Sequence, residues 1–150
     1  MIRHRLATRT ALLAGLIGLG ACAIAQTSTP PVGTITAQLS GASEVPPVAT
    51  GASASVQARL DRGKRRLDWS IVHSGLSGPL TAAHFHGPAS AGENAGVVLP
   101  LAGSLDSPIT GSATLSDAQM TDLLAGKWYL NLHTATHPSG EIRGQVMVQP

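Results

Sequence analysis

The sequence has few aromatic residues, little charge and almost no cysteine. Of its 150 residues, 3% are aromatic and 12% are charged, and a single Cys is present. One cysteine excludes a disulfide framework and a metal site built from several thiolates. The chain also lacks an apolar run of the length and flanking charge typical of a membrane span, so no transmembrane segment is expected in the mature chain. Its length is typical of one domain, with or without a targeting segment.

The first 25 residues have the layout of a secretory signal peptide. Arg3, Arg5 and Arg9 precede an apolar stretch over residues 11–19, and small residues follow. Two processing routes are open. Residues 19–22 (Leu-Gly-Ala-Cys) resemble a bacterial lipobox, which would leave Cys22 as a lipidated first residue, and residues 23–25 (Ala-Ile-Ala) resemble an ordinary signal-peptidase site. We therefore expect a periplasmic or extracellular protein, anchored to the membrane as a lipoprotein if the first route operates.

The formal net charge of +2 comes from this leader. Beyond residue 25 the chain has seven basic and eight acidic side chains, which removes the electrostatic attraction that nucleic-acid binding requires. No nucleic-acid partner is expected. Five of the six histidines remain in the exported part, and they are its first chemical signal: His73, His84, His86, His133 and His137.

Residues 26–33 have the composition of a linker, and residues 34–150 are predicted to form one all-β domain. Short runs of alternating polarity, separated by Gly, Pro, Ser and Asp, predict a Greek-key β-sandwich or barrel of about eight strands. The predicted strands cover residues 34–39, 54–60, 66–73, 80–86, 96–101, 110–115, 127–133 and 141–148.

Local signals predict one helix and one tight hairpin. Ser116 and Gln119 have the spacing of a capping box, and Gly126 is a suitable stop, so a short helix is expected near residues 117–125. Residues 61–64 (Asp-Arg-Gly-Lys) are typical of a hairpin turn, in which we expect Gly63 to take a positive φ.

His84 and His86 are the sharpest chemical motif. Side chains alternate across a strand, so these two imidazoles project to one side with Cα atoms about 7 Å apart, and both can reach one metal ion. The alternative is that they only decorate a solvent-exposed face. In the strand over residues 127–133, alternation places Tyr129, Asn131 and His133 opposite an apolar face. We therefore expect His84, His86 and His133 to meet outside the hydrophobic core, at a site on the exterior of the domain.

A fourth ligand is expected from the turn after His133. His137 lies there, and Pro138 and Gly140 tighten the connection to the next strand, so His137 is predicted to join the site. His73 shares the core-facing parity of its strand, so we interpret it as a partly buried histidine, and ligation by His73 is the less favoured alternative.

An all-imidazole ligand set without thiolate suits Cu(II), Zn(II) or Ni(II), and copper has the highest intrinsic affinity. Copper is therefore the expected cofactor, with zinc as the second choice. Glu141 and Arg143 share a face beside the predicted site. They form either a surface ion pair of small energetic value, or a surrounding shell in which Glu141 orients a ligating imidazole and Arg143 attracts small anions.

Several motifs resemble the CHRD domain, a family first named from chordin. They are residues 39–47 (LSGASEVPP), 75–79 (GLSGP), 81–88 (TAAHFHGP), 91–94 (AGEN), 124–126 (LAG), 129–134 (YLNLHT) and 137–145 (HPSGEIRGQ). The resemblance implies an extracellular or periplasmic β-sandwich. In chordin such domains belong to a secreted antagonist of growth factors, and bacterial members are commonly short exported proteins.

A weaker similarity is to the copper site of copper-zinc superoxide dismutases. Those enzymes place a strand-borne His-x-His pair, a later histidine and a nearby arginine around copper, as His84, His86, His133 and Arg143 would here. A His-rich zinc loop and a disulfide are missing, which argues against dismutase activity.

Three functions follow from these observations. The favoured one is an exported copper-binding protein that stores, buffers or delivers the ion. The alternatives are a copper-dependent, superoxide dismutase-like enzyme and a metal-free adhesion or ligand-binding module of the envelope. The sequence identifies neither a catalytic residue nor a protein partner.

Overall fold

A computed structural model describes residues 32–149. The predicted signal peptide, with Cys22 and both processing sites, lies outside these residues, as does most of the predicted linker. The first strand begins at Val32, so the last two residues of the predicted linker belong to the domain. Among residues 32–149, no helix is long and apolar enough to cross a membrane.

The predicted all-β class and the single α-helix are confirmed. The strands form one antiparallel sheet that curls into a half-barrel. Along the chain the elements are β1 (Val32–Ser40), β2 (Ser53–Asp61), β3 (Arg66–Ser74), β4 (Leu80–His86), β5 (Val97–Pro100), β6 (Ile109–Thr114), α1 (Asp117–Leu124), β7 (Tyr129–Thr134), β8 (Ile142–Gln145) and β9 (Met147–Gln149).

The strand order is β5-β4-β7-β8-β1-β2-β3-β6, and β9 also pairs with β1. The described chain has nine strands rather than about eight because the stretch predicted over residues 141–148 is divided at Val146. The Val146 amide leaves the ladder and donates to the carbonyl of Trp128 at 2.9 Å. This order sets β4, β7 and β8 side by side, and these three strands hold His84, His86, His133 and Arg143.

Aromatic side chains from distant strands close the core. Trp69 on β3 meets Phe85 on β4 edge-on, with ring centroids 6.0 Å apart, and Phe85 contacts Trp128 at 5.7 Å. Since β3 and β4 are separated by four other strands in the sheet, they can touch only because the sheet curls around its apolar face. A few large rings therefore join both halves of the sheet into one core.

The capping box at the start of α1 is confirmed. The Gln119 amide donates to the Ser116 hydroxyl at 3.2 Å, and the Ser116 amide donates to the Gln119 side chain at 2.8 Å. Gly126 follows the helix with φ +68°, as a terminating glycine should.

The expected positive φ at Gly63 is wrong. The β2–β3 loop is longer than a two-residue turn, and its left-handed residue is Arg65, with φ +53°. The Asp61 carboxylate accepts a hydrogen bond from the Lys64 amide at 2.9 Å, which links the end of β2 to the loop. The left-handed conformation therefore falls on the residue just before β3.

Candidate metal centre

Two paired strands bring three histidines together. His84 and His86 lie on β4, and the β4–β7 register sets Ala82 opposite His133, so His133 is a diagonal neighbour of His84. Ring centroids are 5.0 Å apart for His84 and His133, 5.7 Å for His84 and His86, and 6.3 Å for His86 and His133. One ring nitrogen from each lies within 4.8 Å of the others. Two nitrogens bound to one ion at about 2.1 Å can be at most about 4.2 Å apart, so small ring rotations complete a shared coordination sphere.

Main-chain carbonyls fix two of the three imidazole tautomers. His86 Nδ1 lies 3.0 Å from the carbonyl oxygen of Ala95, and His133 Nδ1 lies 3.0 Å from that of Pro138. A carbonyl oxygen only accepts, so in both rings Nδ1 carries the hydrogen and donates it. The neutral ring then presents a bare lone pair on Nε2, which is the form that a metal requires.

The nitrogens left over are buried and have no partner. Nε2 of His86, Nε2 of His133 and Nδ1 of His84 are each shielded from solvent without a hydrogen bond. Buried polar atoms are normally paired, because an unpaired one costs free energy. A metal ion bound by His84, His86 and His133 would satisfy such atoms, so these residues fit the metal site that the sequence predicts.

The surroundings favour neutral imidazoles. Burial is the main cause that lowers the pKa of His84, and His133 and His86 lower it further. Burial also lowers the pKa of His86, and the hydrogen bond to Ala95 only partly opposes this effect. The site lies outside the core as expected, but His84 and His86 are half-buried and His133 is 8% exposed. It is therefore a recessed site rather than an open surface patch.

Tyr129 connects the histidines to Arg143. Its ring stacks on His86 with centroids 4.9 Å apart and planes at 4°, and the Arg143 guanidinium carbon lies 4.7 Å from the centroid of the same ring. β7 lies between β4 and β8, so Tyr129 separates the His86 ring from the guanidinium. The stacking holds the His86 ring in one orientation.

His137 lies apart from the three-histidine group. It is in the turn between β7 and β8, where its amide donates to the Thr134 hydroxyl at 3.2 Å and its carbonyl accepts from Gly140 at 3.1 Å. These bonds fold the turn back upon β7. His137 is not among the histidines whose ring nitrogens lie within 4.8 Å of one another in residues 32–149, and its role as a fourth ligand stays a prediction.

His73 has the placement expected for it. It is half-buried at the end of β3, and its Nε2 lies 3.1 Å from the carbonyl oxygen of Leu105. It takes no part in the three-histidine group.

Glu141 takes neither of the roles considered for it. Its carboxylate is fully buried and accepts hydrogen bonds from the Thr50 hydroxyl, from the Thr134 hydroxyl and from both the amide and the hydroxyl of Ser77, at 2.7–2.9 Å. Burial acts to raise the pKa of Glu141, but these hydrogen bonds outweigh it and hold the pKa below its ordinary value. Among residues 32–149, Glu141 forms no ion pair with Arg143 and no hydrogen bond with an imidazole, because its carboxylate is directed to these hydroxyl and amide donors.

Arg143 fastens two loops beside the site. Its Nε donates to the carbonyl of Ser43 at 2.6 Å, and Nη1 donates to the carbonyl of Glu93 at 3.3 Å and to Oδ1 of Asn94 at 2.8 Å. Arg143 is 3% exposed, so it is a buried cation and not the surface residue that its position in the sequence suggested.

Asn131 lies on the polar face of β7 and Glu44 contacts it from the segment after β1; neither is among the predicted site residues. Asn131 lies between His84 and Arg143 in the strand registers, and its Nδ2 is 3.5 Å from a Glu44 carboxylate oxygen. Burial raises the pKa of Glu44 to about 7, against the attraction of Arg143. A Cβ at Gly140 would lie 2.6 Å from the Asn131 side chain and 2.9 Å from Glu44, so only glycine fits where the turn crosses this pair.

One signal for Glu44 was present in the sequence. It lies within the LSGASEVPP motif that resembles the CHRD domain, but nothing in the spacing of that segment indicated that it folds over β7.

The comparison with protein families gives one result. A family model described as the CHRD domain matches residues 35–146. No match was found among curated proteins or among solved structures.

Proposed function

The chain belongs to the CHRD-domain family, and on that premise we propose that it is an exported protein that binds copper and stores, buffers or delivers it. The ligands are His84, His86 and His133. The observation that supports this proposal is that one ring nitrogen from each histidine lies within 4.8 Å of the others. Main-chain carbonyls fix the tautomers of His86 and His133, whose Nε2 atoms are buried without partners.

Copper is preferred on the chemistry of the donors. Within residues 32–149 the clustered ligand atoms are all imidazole nitrogens, without thiolate or carboxylate. Imidazole suits copper and zinc, and for the same ligands Cu(II) binds more tightly than Zn(II). The lowered pKa values of His84 and His86 favour loading, because a protonated imidazole cannot bind a metal.

Titration of the purified, metal-free protein with Cu(II) and with Zn(II), followed by isothermal calorimetry, tests the proposal. We expect one ion per chain and tighter binding of copper. The double variant His84→Ala/His86→Ala should lower the affinity at least about 100-fold. His73→Ala is the matched control, since it removes a half-buried histidine outside the group and should leave the affinity unchanged. Equal affinities for the double variant and the wild type would exclude this site.

His137→Ala separates three-ligand from four-ligand binding. Because His137 lies outside the group, we expect its removal to leave copper affinity and the paramagnetic resonance spectrum of the Cu(II) form unchanged. A changed spectrum would show that the turn between β7 and β8 rearranges to bring a fourth imidazole to the ion.

An enzymatic role is the second candidate, and the number of ligands is the observation that favours it. Three protein ligands leave a coordination position for a small molecule, as redox or hydrolytic turnover requires. We expect superoxide consumption by the copper-loaded protein to stay at or below that of an equal amount of free copper. A faster rate that disappears in His84→Ala/His86→Ala would favour the dismutase-like enzyme over a storage protein.

Export is proposed from the leader over residues 1–25. Fractionation of cells that express the full chain should place the mature protein outside the cytoplasm. Mass spectrometry of its first residue then separates the two routes, because a lipid-modified Cys22 marks the lipoprotein and an unmodified Gln26 marks the ordinary signal peptide.

A further inference from the structure

A second polar pocket lies beside the metal centre and contains none of its three histidines. It has a volume of about 280 Å³ and opens between the segment after β1 and the loop between β4 and β5. Arg143, Tyr129 and Gln145 line it from the sheet, Glu44 lines it from the first segment, and Ala91 lines it from the loop.

The Arg143 charge has no direct counter-ion. Its three hydrogen bonds go to the carbonyls of Ser43 and Glu93 and to the side-chain oxygen of Asn94, which are all neutral. Nη2 is buried and has no hydrogen-bond partner. The ion pairs within residues 32–149 are Lys64–Asp61, Arg65–Asp117 and Arg66–Asp68, so no carboxylate of the described chain lies within 4.0 Å of the guanidinium.

Glu44 is the one acid lining the pocket, and it compensates Arg143 incompletely. Its side chain is 6% exposed, and Oε1 has no partner. Because its pKa lies at about 7, a large fraction of Glu44 is uncharged at neutral pH. The partly ionised Glu44 offsets the Arg143 charge only in part, so the pocket carries a net positive charge at neutral pH.

We propose that this pocket binds a small organic carboxylate, which pairs with the guanidinium of Arg143. A guanidinium forms short, charge-assisted hydrogen bonds to a carboxylate, and burial strengthens them. The volume suits an anion of a few carbon atoms rather than a drug-sized ligand. A protonated Glu44 donates to the same anion, so Glu44 and Arg143 recognise it together. The inference stands on the pocket alone and does not depend on metal binding.

Binding is tested on the metal-free protein with sodium succinate as the probe, and with sodium phosphate and sodium chloride for comparison. The Arg143 Nε–H resonance in proton–nitrogen NMR spectra should shift saturably with succinate, at one site per chain. Phosphate at equal concentration should shift it less: a guanidinium binds either anion, but only succinate has methylene groups that can contact the apolar lining of Ala42, Val45 and Ala91. The absence of a saturable succinate shift, or an equal shift with phosphate, would overturn the proposal.

Replacing Arg143 itself could unfold the protein, because its side chain holds two loops together. A variant that fills the pocket and keeps Arg143 avoids this difficulty. Ala91 is exposed and lines the pocket, so Ala91→Trp fills the space without removing a hydrogen bond of Arg143. We expect at least a tenfold loss of succinate affinity. Ala135→Trp, at an exposed alanine outside the pocket lining, is the matched control and should bind as the wild type does. Undiminished binding in a folded Ala91→Trp protein contradicts the assignment.

The role of Glu44 gives a third readout. Succinate binding by the wild type should weaken as the pH rises through 7, because the ionised Glu44 carboxylate then repels the anion. Glu44→Gln is uncharged at every pH, so its affinity should stay constant over the same range. Identical pH profiles for the two proteins would show that Glu44 does not take part in anion binding and would contradict the proposed recognition.

Discussion

Two buried glutamates show how surroundings alter the same carboxyl group. Glu141 accepts four hydrogen bonds, which hold its pKa below the ordinary value. Glu44 is close to the Asn131 side-chain amide and the Val45 backbone amide, but burial outweighs them and raises its pKa to about 7. Burial alone favours the neutral acid, whereas hydrogen-bond donors favour the carboxylate. The two residues should therefore give folding stability opposite dependences on pH.

Glu44→Gln should stabilise the protein at alkaline pH. The folded protein holds the Glu44 proton more tightly than the unfolded chain does, so stability falls as the pH rises from 4.5 to about 7 and then levels off. Glutamine removes this loss, and we expect a gain of up to about 3 kcal/mol at pH 8 and little change at pH 4. Urea unfolding followed by tryptophan fluorescence measures it. Asp122→Asn, away from Arg143, is the control, and an equal effect of Glu44→Gln at both pH values would contradict this account.

Glu141 should behave in the opposite way. Its lowered pKa stabilises the folded state above the unfolded pKa, and this contribution is lost as the pH falls through the folded pKa. Glu141→Ala leaves the Ser77, Thr50 and Thr134 donors without an acceptor and should cost at least about 3 kcal/mol at pH 7. Glu141→Gln should cost less, because hydroxyl groups can turn to accept from an amide. Denaturation at pH 7 gives both values, and equal losses in the two variants would argue against the hydrogen-bond network as the cause.

At the scale of the elements, the sequence predicts a strand or a helix start well when the residues that determine it are close together in the chain. The strand periodicity and the Ser116–Gln119 capping box were read correctly because each depends on residues a few positions apart. Gly63 was misjudged because loop length, which the sequence does not show, decides which residue turns left-handed. The sequence also does not predict the break between β8 and β9 at Val146. The break arises because the Val146 amide donates to the carbonyl of Trp128, a residue far from it in the chain.

The candidate site likewise has a part that the sequence predicts and a part that it does not. His84 and His86 could be paired from their spacing alone, and strand parity placed His133 on the same polar side. The contact of Glu44 with Asn131, and the donors around Glu141, join segments far apart in the chain. Such contacts leave no periodic pattern in the sequence, so the residues around the histidines can be identified only from the tertiary structure.

The β1–β8 seam depends on Gly144. A Cβ there would collide with the carbonyl oxygen of Gln38 on β1, so the two strands pack closely only around a glycine. Gly144→Ala should therefore cost about 1–3 kcal/mol, as overpacking does. Gly51→Ala is the matched control, since a Cβ at Gly51 meets no atom within 4 Å. Urea denaturation compares the two, and similar losses would show that backbone freedom rather than crowding is responsible.

For the whole molecule, the proposed metal should act as a folding ligand. The three histidines converge only when β4 and β7 are paired, so the ion would bind the native sheet in preference to the unfolded chain. At a free-metal concentration of about 100 times Kd, the expected gain in unfolding free energy is about 2.7 kcal/mol. Thermal unfolding with and without copper measures it, with a chelator as reversal. His84→Ala/His86→Ala should show no gain, and a gain of the wild-type size in that variant would place the ion elsewhere.

The anchors of His86 and His133 have a consequence for protein engineering. Ala95 and Pro138 act through carbonyl oxygens, a group that every amino acid carries, so the identity of the side chain at either position is irrelevant to the anchoring. Each connection could be rewritten or transplanted as long as its path through space is kept. We therefore expect that β4 and β7, together with the two loops that supply these carbonyls, could be grafted into another sheet. The imidazoles would keep their orientation there if the backbone of both loops keeps its conformation.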